Sequence, residues 1–170
     1  MLAKRIITAV IGIVAAIFIV NYGQWIFAVA VLVLALLAWR EYANMMNRLE
    51  ARISFYFGSF FIILIWGAAW LGNSKELIAI IMLSCFILLA KTVLRHTHFN
   101  LRDAVYTFTG LIYIGLAFAH VLLLRFTDTS SYIGTSFCTL QAGAVYIWLA
   151  LIGTWASDTF AFFVGTKFGR

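Results

Sequence analysis

Two long apolar segments open the chain and decide its fold class. They read IITAVIGIVAAIFIV at residues 6–20 and WIFAVAVLVLALLAW at residues 25–39, with the polar break NYGQ at residues 21–24 between them. Drawn as one helix from Ile6 to Trp39, they would be about 51 Å long, well beyond a hydrocarbon core of about 30 Å. The break therefore predicts a hairpin of two membrane-spanning helices. No Ala-x-Ala site follows the first segment, which argues against a cleaved signal peptide.

The apolar character of this opening extends over the whole chain. Of its 170 residues, 65% are hydrophobic and 11% are charged, whereas soluble domains are about half apolar and a quarter charged. This composition excludes a soluble domain, which needs polar cover, and a disordered chain, which needs few apolar residues. Lipid admits only helices and closed barrels, and the apolar residues form long runs instead of alternating. The predicted fold class is an all-α polytopic membrane protein.

Six apolar runs qualify as transmembrane helices, and their polar connections are short. We expect spans near residues 6–21, 25–40, 55–72, 77–91, 104–124 and 143–165. No linker, internal repeat or low-complexity segment separates them. The sequence therefore predicts a single transmembrane helical domain over residues 1–170.

The basic residues are shared unevenly between the two sides that six spans create. One side receives ten of the twelve Lys and Arg residues, and the other receives only Lys75 and Arg125. Because positive charge marks cytoplasmic loops, both termini are predicted to be cytoplasmic, in a multi-pass protein of the cell membrane, a bacterial inner membrane being favoured. The basic residues flank the spans singly and do not form one face, so nucleic acid is not an expected partner.

Asp158 is the one acidic residue that lies inside a long apolar run. A carboxylate at membrane depth is costly and normally faces a cavity or a partner, which makes this position a candidate functional site. One face of its helix carries small and polar residues, and we expect that face to line the interior of the bundle. It consists of Thr154, Ser157, Asp158, Ala161 and Gly165.

The residue types near Asp158 suit the handling of phosphate. Carboxylates bind hard divalent cations that bridge phosphates, and the cations Lys167 and Arg170, a turn or two further on, would neutralise phosphate charge. Two alternatives stay open. Asp158 only packs in a non-catalytic membrane scaffold or binding protein, or it relays protons in a transporter.

The segment TWASDTFAFFVGTKFGR at residues 154–170 resembles the Trp-x-x-Asp-(Ser/Thr)-Gly-Ala-Tyr-x-x-Gly-(Arg/Lys)-x-Phe-Gly-Lys segment of phosphatidate cytidylyltransferases, the CDP-diacylglycerol synthases. The opening is similar too, with KRIIT at residues 4–8 and Trp39-Arg-Glu-Tyr42 at the end of the second span. Phe160 and Phe162 stand where the family has Gly and Tyr. The resemblance covers the N-terminal part of a family member, and we expect the family's later catalytic segment, with its Ser-Pro-x-Lys-Thr stretch, to be absent.

The resemblance implies a nucleotidyltransferase of phospholipid biosynthesis. Such an enzyme transfers a cytidylyl group from CTP to phosphatidate in the bilayer, gives CDP-diacylglycerol and pyrophosphate, and uses Mg²⁺. Asp158 would be the catalytic metal ligand, and Thr159, Lys167 and Arg170 would contact substrate phosphates. A homodimer is left open. Because Asp158 is the only suitably placed acid, we expect this chain to be inactive alone.

Overall fold

A computed structural model describes residues 2–127, 130–135 and 138–169 of the protein. Seven α-helices account for most of this part of the chain, and the predicted all-α class is confirmed. The helices are α1 (Leu2–Tyr22), α2 (Gln24–Arg48), α3 (Phe55–Trp70), α4 (Ser74–Leu94), α5 (Leu101–Gly110), α6 (Ala117–Phe126) and α7 (Ala142–Phe168). A π-helical segment, Leu111–Leu116, joins α5 to α6, and two short strands, β1 (Tyr132–Thr135) and β2 (Cys138–Gln141), precede α7.

Four helical stretches of the described chain are long and apolar enough to cross a membrane: Gln24–Arg48, Lys75–Leu94, Leu101–Phe126 and Ala142–Phe168. Two shorter apolar helices, Thr8–Tyr22 and Phe55–Trp70, fall at the first and third predicted spans. A multi-pass helical membrane protein is therefore supported. The count of six spans and the orientation of the termini stay predictions.

The break between the first two apolar segments is a single residue. Gly23 has a φ of +64°, a left-handed conformation that glycine adopts without steric cost, and its N–H closes the end of α1 on the carbonyl oxygen of Ile19. One continuous helix through residues 21–24 is thereby ruled out, as the sequence predicts.

The chain divides into two compact units. The central unit comprises Trp25–Leu123, and the terminal unit comprises Met1–Gln24 with Leu124–Arg170. Within each unit the helices contact one another. The division does not test the single domain predicted over residues 1–170, which stays a prediction.

Trp39 anchors the core of the central unit. Its side chain is fully buried, and its indole N–H donates to the carbonyl oxygen of Phe55, 3.0 Å away. The aromatic ring lies so close to Gly58 that a Cβ atom there would overlap it. The end of α2 and the start of α3 are therefore fixed by one side chain.

The terminal unit is organised around Arg125, which is buried although the sequence predicts a flanking charge. Its Nε donates to the carbonyl oxygen of Val20 at 3.1 Å, and its Nη1 donates to Oε1 of Gln141 at 3.0 Å. A second contact joins the same ends of the chain, because the indole N–H of Trp148 donates to Oδ1 of Asn21 at 3.0 Å. The two ends of the sequence thus meet through polar bonds.

Candidate functional site

The last helix, α7, carries the predicted site and is buried only near its start. Its buried residues all come from the first two turns: Ala142, Gly143, Ala144 and Ile147. From residue 157 to residue 169 every side chain is exposed. The prediction that the small, polar stripe lines a bundle interior is therefore wrong for the described chain, because the buried residues of α7 all lie near its other end.

Asp158 lies on this exposed stretch of α7. Among the described residues its carboxylate has no hydrogen-bond or ion-pair partner, and a Cβ atom at Gly153 or Gly165 would meet nothing within 4 Å. The face around Asp158 is consequently open to a ligand, another protein surface or lipid. An acid left against lipid would be costly, so a polar partner is the expected occupant.

Thr159, a predicted phosphate contact, forms a side-chain hydrogen bond within its own helix. Its hydroxyl donates to the carbonyl oxygen of Trp155, 2.7 Å away, as threonines within helices often do. The single hydroxyl proton is thus in use, and only the oxygen lone pairs remain. In this rotamer Thr159 offers an acceptor or a metal ligand and does not donate to a phosphate.

Lys167 is exposed at the end of α7, with its Nζ 5.8 Å from the centroid of the Phe168 ring. It follows Asp158 by nine residues, which corresponds to about 13.5 Å along a helix. Nine residues are also about two and a half turns, so the two side chains leave opposite faces of α7 and do not meet at one phosphate. Arg170, the other predicted phosphate contact, lies outside the described residues.

The buried acid of the described chain is Asp103, whose surroundings the sequence did not reveal. It is 5% exposed, and its two carboxylate oxygens accept the backbone N–H groups of Arg52 (2.8 Å) and Asn100 (3.0 Å). Asn100 is the N-cap residue of α5 and Asp103 is the third residue after it, which is the arrangement of a capping box. Asp103 fastens a loop to the start of α5 and is not available for chemistry.

The aromatic residues of the Trp39-Arg-Glu-Tyr42 stretch also serve packing. The rings of Trp39 and Tyr42 stack with centroids 5.8 Å apart, and the Tyr42 hydroxyl donates to the carbonyl oxygen of Tyr106 at 2.8 Å. Glu41 between them is exposed. This part of the predicted resemblance therefore marks the core of the central unit.

No group of three or more His, Cys, Asp or Glu side chains in residues 2–127, 130–135 and 138–169 is placed to hold a metal ion. Asp158 supplies one carboxylate, and Mg²⁺ is commonly held by one or two carboxylates together with substrate phosphates and waters. The described residues thus fit one protein ligand of a Mg²⁺ site and do not complete one.

Comparison with known proteins agrees with the predicted resemblance. The sequence pattern described as the cytidylyltransferase family matches residues 3–170. Proteins named phosphatidate cytidylyltransferase from Staphylococcus haemolyticus and Staphylococcus saprophyticus are each 27% identical to this chain, and one from Bacillus subtilis is 23% identical. Each alignment covers 98% of this chain and 59% of the relative, so the chain spans about three fifths of their length. No solved structure matches.

Proposed function

Since this chain belongs to the cytidylyltransferase family, we propose that it forms part of an enzyme that transfers a cytidylyl group from CTP to phosphatidate. The products are CDP-diacylglycerol, which stays in the bilayer, and pyrophosphate. The observation that carries the proposal is the position of Asp158. Its carboxylate has no partner among the described residues and lies on an open helix face, within the region that matches the family.

The reaction we propose is a displacement at phosphorus. A phosphate oxygen of phosphatidate forms a bond to the α-phosphorus of CTP, and the bond from that phosphorus to the bridging oxygen breaks, so that pyrophosphate leaves. Both reactants are anionic, and holding them together against charge repulsion is the main task of the protein. Cationic and metal-binding side chains at a membrane surface are suited to that task.

Each side chain of α7 has a separate part in the proposal. Asp158 is the protein ligand for Mg²⁺, which when bound would neutralise phosphate charge. Lys167 lies on the opposite face of α7, about 13.5 Å further along the helix, and stays a proposed phosphate contact because the resemblance implies it. Thr159 contributes an oxygen acceptor near Asp158, because its hydroxyl proton is donated to the carbonyl oxygen of Trp155. Arg170 is kept as a proposed phosphate contact on the resemblance alone.

We place this chemistry at the cytoplasmic face of a bacterial inner membrane. The uneven division of Lys and Arg along the sequence supports this orientation. Within the central unit, several basic residues gather at one end, where α3 and α5 begin and α4 ends. These are Arg52, Lys91, Arg95 and Arg102. Such a charge bias marks the cytoplasmic side.

The Asp158→Asn substitution tests the proposal in the full protein. The amide keeps the shape of the side chain and loses the charge that a metal ion needs, so we expect incorporation of radiolabelled CTP into lipid to fall by about two to four orders of magnitude. Glu76→Gln is the matched control, since Glu76 is an exposed acid bonded only to Asn73 among the described residues. Near-normal incorporation by Asp158→Asn would refute the proposed role and favour a packing contact, whereas equal loss in both variants would show a general effect of charge.

A further inference from the structure

A pocket of about 350 Å³ opens in the central unit where α3 begins and α4 ends. Its polar lining combines basic side chains with the hydroxyl of Ser54, and the lining residues include no Asp or Glu. They are Arg52, Ser54, Lys91, Arg95 and His98, with Phe55, Tyr56 and Phe99 among the apolar ones. The volume lies in the range of small-ligand sites, and the charge favours an anion.

Lys91 is the most confined cation of this pocket. Its Nζ donates to Oγ of Ser54 at 2.6 Å and lies 4.3 Å from the centroid of the buried Phe99 ring. An ammonium group has three donors, and neither a hydroxyl nor an aromatic ring carries a negative charge that would neutralise it. Within the described chain no carboxylate forms an ion pair with Lys91. A partly buried charge of this kind is stabilised when an anion binds beside it.

Two further groups converge on the position beside Lys91. Arg95 follows Lys91 by four residues, so both side chains lie on the same face of α4, and the Arg95 side chain is exposed. The first turn of α3 lines the pocket through Phe55 and Tyr56. The Phe55 N–H already donates to the carbonyl oxygen of Ile53 at 2.9 Å, whereas the Tyr56 N–H has no acceptor within its own helix. Cations and helix N-terminal N–H groups together are the usual partners of phosphate.

The rim of the pocket indicates that the phosphate belongs to a lipid. Phe55 and Tyr56 of its lining are 38% and 86% exposed, and α4, which ends at the pocket, is apolar enough to cross a membrane. Tyrosine is favoured at the level of lipid headgroups. A free phosphate ion makes no favourable contact with this apolar rim. A lipid does, because its acyl chains lie close to its phosphate group.

We propose that this pocket binds the phosphate group of an anionic membrane lipid, with Lys91 and Arg95 as its principal contacts. The proposal goes beyond the transfer reaction, since the pocket contains none of the residues placed on α7. Its test is equilibrium binding and needs no turnover. A protein that binds lipid here and fails to use CTP would refute the proposed reaction and leave the pocket intact.

The experiment measures binding of dioctanoyl phosphatidate to the purified chain in an uncharged detergent. We expect saturable binding that Lys91→Gln and Arg95→Gln each weaken by about ten- to a hundredfold, the usual cost of one charge-assisted hydrogen bond. Lys75→Gln is the matched control, because it removes the same charge from an exposed side chain at the other end of α4. We expect that variant to keep its affinity within about twofold.

Four outcomes would overturn the proposal. Two concern the ligand: the chain binds dioctanoyl phosphatidylcholine, or inorganic phosphate, as tightly as it binds dioctanoyl phosphatidate. Two concern the variants: Lys75→Gln weakens binding as much as Lys91→Gln does, or Arg95→Gln binds as tightly as the unsubstituted chain. Arg95 is exposed, so its variant folds and keeps the test decisive even where Lys91→Gln disturbs the contact with Ser54.

Discussion

At the scale of single residues, two aspartates show how surroundings divide structural from chemical roles. Asp103 is buried and accepts two backbone N–H groups, one from a loop and one from a helix cap. Asp158 is exposed and has no described partner. The first carboxylate is already committed to the fold, and only the second is free to bind a ligand.

Substituting Asp103 by Asn is expected to lower stability. The amide retains one acceptor oxygen and turns its NH₂ group toward a backbone N–H, so one buried donor loses its partner. Such a loss costs about 1–3 kcal/mol. Thermal unfolding in detergent would measure it, with Glu41→Gln as a control that removes the same charge from an exposed side chain. An unchanged melting temperature for Asp103→Asn would show that the loop at Arg52 is held by other contacts.

The sequence revealed the identity of these residues and not their environments. Asp103 stands at the start of a helix, where acids are usually exposed, and its burial depends on a loop 51 residues earlier in the chain. Arg125 resembles an ordinary flanking charge, but partners from Val20 and Gln141 bury it. Both cases rest on contacts between distant parts of the sequence, which hydropathy and spacing do not encode.

At the scale of elements, the contact between α2 and α3 depends on the absence of a side chain at Gly58. The buried Trp39 ring occupies the space that a Cβ atom would need. Because the indole N–H is held by Phe55, the ring has little freedom to move away. The small residue and the large one therefore form a single packing unit.

Gly58→Ala is expected to destabilise the protein by about 1–3 kcal/mol or more, as overpacking of a core does. Gly67→Ala is the matched control in the same helix, since a Cβ atom there would meet nothing within 4 Å. Replacing a helical glycine by alanine in open space is expected to stabilise by about 0.5–1 kcal/mol. The two variants should move the melting temperature in opposite directions, and a fall of equal size in both would contradict the proposed packing.

Hydropathy located all six helical stretches, because long apolar runs are a strong local signal. Most helices run one to eight residues past their predicted ends, while α3 ends two residues early. The longest extension is at the end of α2, where polar residues such as Asn44 and Asn47 continue the backbone hydrogen bonding. The π-helical segment Leu111–Leu116 and the strands β1 and β2 were not predicted. A widened helical turn leaves no compositional trace, and strands of four residues are too short for a periodic pattern.

At the scale of the whole molecule, the charge bias predicts that both termini are cytoplasmic. Fusion reporters placed at residues 1 and 170 should both give cytoplasmic signals, and a reporter inserted at residue 73, between α3 and α4, should give the opposite signal. A non-cytoplasmic signal at either terminus would remove the proposed location of Asp158 at the cytoplasmic side.

The purified 170-residue chain is expected to insert into membranes and not to make CDP-diacylglycerol. Insertion requires the apolar spans and the charge bias, which are present. Catalysis requires two phosphate-bearing reactants to be held within about 3.5 Å of each other, and α7 offers one carboxylate for that purpose. The measurement is incorporation of radiolabelled CTP into lipid with Mg²⁺ present and no other synthase. Robust incorporation would show that the described residues are sufficient.

The burial of Arg125 has a consequence for the order in which the protein is made. Translation proceeds at about 5–20 residues per second, so the partner at Gln141, 16 residues later, emerges about 1–3 s after the arginine. Val20, 105 residues earlier, has by then waited about 5–20 s for the same side chain. The central unit is continuous in sequence and is complete before the ribosome reaches Arg125. The terminal unit needs residues from both ends of the sequence, so it is the second of the two units to be completed, and Arg125 gains both partners only after Gln141 has been made.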